Sequence, residues 1–269
     1  MEILQFADEF GPEKVLEVYD SVTGMKGFTV IDNTALGPAK GGIRMTASVD
    51  VKEVFRLART MTWKCALADL PFGGGKSGVI FDSVKDKDKK LDFIRAFAKA
   101  IKPICPSEYV SAPDVNTSEK EMQVFVEANG NFNSATGKPL NLCFDIHGKK
   151  VCGLPHELGS TGFGVSYAAQ VALKHYKKDI KNSTIAIEGF GNVGSFAFKS
   201  LEEAGAKIVA VSDSKGCLYN SDGLKFADIE KIKKEKGSVI FGKGKVIDGK
   251  KLFELEVDVL IPAALPDVI

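Results

Sequence analysis

The sequence predicts an α/β protein built as two successive domains, residues 1–150 and residues 151–269. Three observations carry this. The chain has 269 residues, which suits one large domain or two ordinary ones. The first half alternates short apolar runs with apolar residues at three- and four-residue steps, so strands alternate with helices. The second half compresses strand, glycine turn, helix and strand into "STIAIEGFGNVGSFAFKSLEEAGAKIVAVSDSKG", which is the pattern of a βαβ unit.

Bulk composition narrows the class of function. Hydrophobic residues make up 44% and charged residues 26%, values of an ordinary globular chain that can bury a full core. A net charge of +1 gives no concentrated basic field, which argues against nucleic acid or an anionic membrane as partner. The five cysteines are scattered, odd in number and form no C-x-x-C pair. That pattern points to reduced thiols in a cytoplasm and away from a disulfide framework or a zinc site. The opening "MEILQFADEF" carries acids where a signal peptide carries base, and no stretch reaches membrane-spanning length.

In order along the chain, "GMKGFTVIDN" reads as a strand, with a further short strand expected after "GPAKGGIRM". Between Asp50 and Leu70, apolar Val51, Val54, Phe55, Ala58, Met61 and Cys65 follow helical steps. "SGVIFD" suits a buried strand, and "DKKLDFIRAFAKAIK" an amphipathic helix with Leu91, Ile94, Phe97, Ala98 and Ile101 on one stripe. In "TSEKEMQVFVEA", Ser118 and Glu121 have capping-box spacing, so a helix starts there. Residues 129–150, rich in Gly, Asn and Lys, read as loops near the domain boundary. Thr161 to Tyr176 reads as a helix crossing between the domains, "VDVLIPAAL" as a late strand, and "IEKIKKEKGSVIFGKGKV" as a solvated helix and hairpin.

The glycine turn of the second half has a specific chemistry. Gly189-Phe190-Gly191-Asn192-Val193-Gly194 follows a strand and opens a helix, and Asp213 closes the next strand 19 residues after Gly194. The first glycine permits the tight turn, the second lets backbone approach a pyrophosphate, and the third lets helix pack on strand. The helix N-terminus supplies N–H donors and positive potential for phosphates. This is a Rossmann-type dinucleotide site. Asp213 would accept hydrogen bonds from the adenosine ribose, favouring NAD, whereas Ser214 and Lys215 could hold a 2′-phosphate, so NAD and NADP both stay open.

Three lysines in the first half occupy unusual places. Lys40 lies in "GPAKGGIRM" among glycines, Lys64 in "MTWKCAL" among apolar and aromatic neighbours, and Lys76 directly after three glycines. The ending Gly75-Lys76-Ser77 resembles a phosphate loop, but the glycine that pattern needs five places earlier is Leu70. Crowded lysines are costly and shift to lower pKa. Asp114 in "SAPDVNT" stands in a run poor in other acids and is a candidate acid/base.

Taken together, "GPAKGGIRM", "MTWKCALADLPFGGGKSGV", "SAPDVNT", "GSTGFGV", "IEGFGNVGS", "VAVSDSKG" and "LIPAAL" resemble the Glu/Leu/Phe/Val dehydrogenase family of oxidative-deaminating amino acid dehydrogenases, in family order from about residue 25 onward. The resemblance implies an N-terminal substrate-binding and oligomerisation domain followed by the NAD(P)-binding domain. It implies that Lys76 is the catalytic lysine that activates water, that Lys64 binds the substrate α-carboxylate, and that Asp114 shuttles a proton to and from the amino group. Thr161 corresponds to a threonine near the nicotinamide carboxamide. The implied cofactor is NAD or NADP, the implied partners are an amino acid or 2-oxo acid and ammonia, and the implied assembly is a homo-oligomer, a hexamer or octamer.

Within that family the glutamate enzymes carry lysine at the place of Lys40, where it pairs with the γ-carboxylate, and the leucine, valine and phenylalanine enzymes carry leucine. A lysine in an aliphatic pocket would be an unpaired, desolvated charge, so Lys40 favours glutamate, while the short N-terminus is closer to the leucine branch. The pattern departs from the family in two places. Phe163 stands where many glutamate enzymes have arginine, and the chain stops at "VDVLIPAALPDVI", where family members continue, so the dinucleotide domain is expected to be incomplete. That ending is expected to leave "VDVLI" as an apolar edge. A leucine-, valine- or phenylalanine-type enzyme and a truncated, non-catalytic nucleotide-binding chain are the competing expectations.

Overall fold

A computed structural model describes residues 3–155, 159–264 and 268. Leu265, the last residue of "LIPAAL", lies outside the described residues. The chain forms two compact units, Met1–His156 and Glu157–Ile269.

The first unit is a five-stranded mixed sheet with helices on both faces. Its elements are β1 (Lys14–Tyr19), β2 (Lys26–Asn33), β3 (Ala39–Thr46), α1 (Val51–Leu67), β4 (Gly73–Ile80), α2 (Lys90–Ala100), β5 (Tyr109–Pro113) and α3 (Glu119–Asn129). The sheet order is β1-β2-β4-β3-β5, with β4, β3 and β5 parallel. Two expectations shift here. The strand expected after "GPAKGGIRM" is that segment itself, β3, and the strand expected from Ser77 begins four residues earlier, at Gly73.

The glycine run is therefore strand, not loop, and packing is the reason. A Cβ on Gly74 would sit 2.0 Å from Thr62 Oγ1 and 2.2 Å from the Thr62 backbone nitrogen on α1. Any side chain there would push α1 off the sheet.

Residues alternate across a strand with period two. On β3, Ala39, Ile43 and Met45 join the core that includes Phe93, Phe97, Tyr109, Met122 and Phe125. Lys40, Gly42 and Arg44 take the opposite face by the same alternation. On β4, Gly74 and Gly78 abut α1 and Val54 of α1, so Lys76 between them shares that face. Glu121 of α3 accepts from the Ser118 N–H at 2.8 Å and the Ser118 hydroxyl at 2.7 Å, the expected capping box.

Residues 129–150 are more ordered than expected. They hold a one-turn helix at Phe132–Ser134 and most of an antiparallel hairpin, β6 (Cys143–Ile146) with β7 (Lys149–Cys152). The predicted domain boundary at 150/151 falls inside β7. Cys143 and Cys152 face each other in the ladder and form a disulfide, a correction to the expectation of reduced thiols throughout; their sequence separation of nine residues fits a hairpin rung, which no C-x-x-C search detects. Cys65, Cys105 and Cys217 are free and buried.

The second unit holds α4 (Ser160–His175), β8 (Thr184–Glu188), α5 (Asn192–Glu203), β9 (Lys207–Asp213), β10 (Gly216–Tyr219), α6 (Phe226–Lys236), β11 (Lys245–Ile247) and β12 (Val259–Pro262). The sheet order is β11-β10-β9-β8-β12, with β9, β8 and β12 parallel. The expected βαβ unit is β8-α5-β9, and β12 lies at the sheet edge. The expected hairpin after α6 is not one: β11 pairs antiparallel with β10, which precedes the helix. Ile185, Ile187, Phe198, Leu201, Ile208 and Val211 form the core between sheet and helices. Among the described residues no helix is long and apolar enough to cross a membrane.

Candidate functional site

In the first unit, strand alternation brings Lys40, Arg44 and Lys76 to one face, and Asp114, the residue after β5, meets Arg44 and Lys76 there. Lys76 is 6% exposed, and its Nζ lies 3.2 Å from Asp114 Oδ1. The other carboxylate oxygen accepts from Arg44 Nε at 2.8 Å, and Arg44 Nη1 donates to Glu53 Oε1 at 2.6 Å. Glu53 is fixed in turn, because its backbone N–H is capped by Asp50 at the start of α1. Asp114 donates its backbone N–H to Thr117 Oγ1 at 2.8 Å, and Thr117 donates to the Ile43 carbonyl, so the carboxylate is tied to β3 through both side chain and main chain.

The electrostatics follow from this arrangement. Burial pushes the Lys76 ammonium below its ordinary value; Asp114 opposes the shift, and the Arg44 and Lys64 cations add to it. Burial also pushes the Asp114 carboxyl upward, but the Lys76 and Arg44 cations outweigh it and hold the group below the usual carboxylate range. The pair is thus a buried ammonium whose pKa burial lowers, beside a carboxylate that two cations hold below its usual range.

Lys40 stands at the start of β3 with uncharged acceptors, the Ser111 carbonyl at 2.5 Å and Thr136 Oγ1 at 2.6 Å. Burial, and then the Lys138 ammonium, depress its pKa to about 7. Lys138 is itself buried. It donates to the Phe132 and Ala135 carbonyls and lies 3.7 Å from the centroid of the Phe132 ring, and burial lowers its pKa to about 8. Two cations held without a carboxylate partner in their hydrogen-bond shell attract an anion. Lys64 differs from expectation. It is in the last turn of α1 and exposed rather than crowded, because the apolar neighbours in sequence, Trp63 and Leu67, are exposed too.

Arg44 and Lys138 were not singled out from sequence. Arg44 had a usable signal: it lies four residues from Lys40 in a strand, hence on the same face. Lys138 had none, since only the loop after α3 brings it under Lys40.

In the second unit, the glycine turn has the geometry a pyrophosphate requires. Gly189 has φ +93°, a conformation that side chains disfavour. A Cβ on Gly194 would meet the Gly189 carbonyl oxygen at 2.0 Å, so α5 packs on the turn only through glycine. A Cβ on Gly191 would meet nothing within 4 Å, leaving that approach open, and no side chain caps the N-terminus of α5. Phe190 packs inward against Phe198 and Phe226, while Asn192 and Val193 begin the helix. Thr161 is exposed in the first turn of α4, as is Phe163 two residues on. A cleft of about 650 Å³ runs along Gly189–Gly191, Ser212–Ser214, Lys233 and Ala263–Ala264.

Asp213 does not offer the free carboxylate that sequence suggested. Oδ1 accepts from the Lys215 N–H at 2.9 Å and Ser238 Oγ at 3.0 Å; Oδ2 accepts from Lys233 Nζ at 2.7 Å and the Val239 N–H at 2.9 Å. The lysine run of α6, expected to be merely solvated, supplies this partner.

Comparison with known proteins places both units. Residues 12–130 match the family described as Glu/Leu/Phe/Val dehydrogenase, dimerisation domain, and residues 153–269 match the one described as Glutamate/Leucine/Phenylalanine/Valine dehydrogenase. The chain is 41% identical over 254 residues to a glutamate dehydrogenase of Thermotoga maritima, covering 90% of this chain and 59% of that protein. It is 36% identical over 271 residues to the NADP-specific glutamate dehydrogenase A1 of Halobacterium salinarum, covering 96% and 64%. The crystal structure of Plasmodium falciparum glutamate dehydrogenase matches with a TM-score of 0.80 at 26% identity, over 94% of this chain and 57% of that one. The chain thus spans less than two thirds of the length of these relatives.

Proposed function

We propose that this chain, which belongs to the Glu/Leu/Phe/Val dehydrogenase family, catalyses the reversible oxidative deamination of L-glutamate to 2-oxoglutarate and ammonia with NAD or NADP. The observation that carries the reading is the buried Lys76–Asp114 pair on the same sheet face as the uncompensated Lys40 cation. Bound nicotinamide dinucleotide supplies the hydride acceptor.

The residues of this chain divide the remaining work. Lys40, with Lys138 beneath it, meets the γ-carboxylate, and Lys64 meets the α-carboxylate. Asp114, ionised between Lys76 and Arg44, takes a proton from the substrate ammonium, so that the amino group can release its electron pair toward the carbon as hydride departs. In its neutral form, which burial favours, Lys76 removes a proton from the water that adds to the imine carbon. Asp114 returns its proton to the nitrogen and, as the C–N bond breaks and ammonia leaves, takes the hydroxyl proton of the carbinolamine so that the 2-oxo acid carbonyl forms. The glycine turn, with Thr161, Asn192 and the first N–H groups of α5, holds the dinucleotide.

A homo-oligomer belongs to the same reading, because the match over residues 12–130 is to a dimerisation domain. So does a cytoplasmic setting, supported by the free buried thiols of Cys65, Cys105 and Cys217. In that setting the half-exposed Cys143–Cys152 bridge is the one open to thiol exchange.

The test is Lys76→Ala in the full chain. It should abolish glutamate-dependent NAD(P)H formation while dinucleotide affinity stays within about twofold of the unaltered chain. Turnover that survives the change, or turnover and cofactor binding lost together, sinks the assignment. An unaltered chain that binds cofactor and turns over no amino acid would identify it as a nucleotide-binding chain instead.

A further inference from the structure

The loop that holds Lys40 has two sides. On one side, Lys40 donates to Thr136 Oγ1 and to the Ser111 carbonyl, and the Thr136 N–H donates to that same carbonyl at 3.0 Å. Ala135 bridges in parallel to Ser111 of β5, so this part of the loop is laid along the strand whose carbonyl Lys40 uses. On the other side is Lys138, which donates to the Phe132 and Ala135 carbonyls and sits over the Phe132 ring.

The β6–β7 hairpin closes that second side. Phe144 of β6 packs on Phe132 with ring centroids 5.0 Å apart. At the open end of the hairpin, the Gly153 N–H donates to the Leu142 carbonyl at 2.9 Å. A Cβ on Gly153 would sit 2.2 Å from the Pro139 carbonyl oxygen and 2.5 Å from that of Lys138, so the hairpin neck rests directly on their backbone. Little apolar burial holds it there. The strands are four residues each and β7 is exposed throughout, and a two-stranded hairpin is marginal by itself. The Cys143–Cys152 bridge joins the strands at that same neck, on the rung next to Leu142 and Gly153.

We infer that the Cys143–Cys152 bridge is a thiol-exchange site that sets how Lys40 is held, so that its reduction weakens binding of the substrate's side-chain carboxylate. The inference rests on the glutamate reading of Lys40 and adds a control to it. Exchange starts at Cys152, which is exposed, whereas Cys143 is half-buried. One thiolate of a dithiol reductant attacks Cys152 Sγ, the S–S bond breaks, and Cys143 leaves as a thiolate that takes a proton. The second thiolate of the reductant then displaces Cys152, which is protonated in turn, and closes the reductant's own disulfide. Two electrons thus pass from the dithiol to the bridge. Without the bridge the neck opens, Phe144 leaves Phe132, and Lys138 and Thr136 lose the wall that fixes them beside Lys40. Asp114 is held by Arg44 and Thr117 instead, so the chemistry after binding is spared.

The experiment compares glutamate kinetics of the full chain before and after dithiothreitol, with hydrogen exchange over residues 132–139 read on the same samples. Reduction should speed that exchange, raise KM for glutamate about fivefold or more, the lower end of coupling between two sites, and leave kcat within about twofold. Cys143→Ser with Cys152→Ser should show the reduced values with or without dithiothreitol, which separates this bridge from Cys65, Cys105 and Cys217. Phe144→Ala keeps the bridge and should raise KM in the oxidised chain, so the test holds even where the double variant fails to fold. KM unchanged by reduction, exchange unchanged at 132–139, or kcat falling at constant KM each overturns the inference and leaves the glutamate reading standing. Glutamate turnover in neither state overturns that reading and the inference together.

Discussion

Arg44 donates from Nε to one oxygen of Asp114 at 2.8 Å, while Lys76 holds the other at 3.2 Å. The carboxylate of Asp114 is thereby a bridge between two cations of different kind. The lysine can surrender its proton; the guanidinium cannot. When Lys76 is neutral, Arg44 alone keeps Asp114 ionised, so proton affinity at Asp114 is set from outside the reacting pair.

Arg44→Met should therefore change pH dependence as well as rate. With the guanidinium gone, Asp114 titrates at higher pH, and the acidic limb of the kcat/KM profile should move upward by about one unit or more. Initial rates between pH 5 and 9 decide it. A limb that stays in place while kcat falls would make Arg44 a purely structural tie to Glu53.

Substrate choice should follow Lys40. Lys40→Leu should lower kcat/KM for glutamate by about a hundredfold or more, since one partner of a desolvated ion pair is lost, and should admit leucine. A panel of amino acids with the purified variant checks this; leucine turnover by the unaltered chain at rates matching glutamate would contradict the pairing.

The same lysine predicts a stability slope. In the folded chain Lys40 releases its proton near pH 7, whereas unfolded lysine does so near pH 10.4. Between those values the unfolded chain binds more protons, so folding stability contributed by this residue rises with pH, by no more than about 1.4 kcal/mol per unit. Urea denaturation at pH 7 and pH 9 should show the rise, and Lys40→Met should flatten it.

Two glycine substitutions should separate packing from binding. Gly74→Ala places a methyl 2.2 Å from a backbone nitrogen of α1 and should cost about 1–3 kcal/mol or more in a urea titration. Gly191→Ala meets no atom within 4 Å, so its denaturation midpoint should be unchanged while dinucleotide affinity falls at least about tenfold. A Gly191→Ala chain with full affinity would mean that backbone there does not approach the phosphates.

Replacing Cys143 and Cys152 with serine should destabilise the first unit by about 2–3 kcal/mol, the value of closing a short loop. Thiol titration of the unreduced chain under denaturant should find the three free cysteines, and five after reduction.

Local pattern in the sequence located most elements and the residues that gather at the site. Period-two alternation and helical steps depend on burial of one face, and burial governs β2, α1, α2 and α5 directly. The glycine run of β4 escaped because glycines read as turn wherever nothing shows what packs on them; here Thr62 of α1 does, from twelve residues away. The hairpin of β6 and β7 escaped for a related reason, since its strands are mostly exposed and carry no apolar rhythm. Lys40 and Lys76 stand out in the sequence because lysines among glycines are rare, and Asp114 because its run is poor in other acids. Arg44 carries a signal in its strand spacing from Lys40, whereas Lys138 carries none, because a shared field joins residues whose distance in sequence says nothing of their distance in space. Asp213 shows the converse: sequence places it at the end of β9, and only the donors from α6, Ser238 and the backbone reveal that both its oxygens are taken.

The spacing of α1 from the sheet is set by atoms that β4 lacks. Such a spacing can be altered in one direction only, by adding bulk, because glycine has no smaller substitute. Variation that shrinks or reshapes other side chains around Lys40 can reshape its surroundings, while the Lys76–Asp114 register stays where the bare strand puts it. The fold thus separates the part of this sheet face that is free to diversify from the part that can only break.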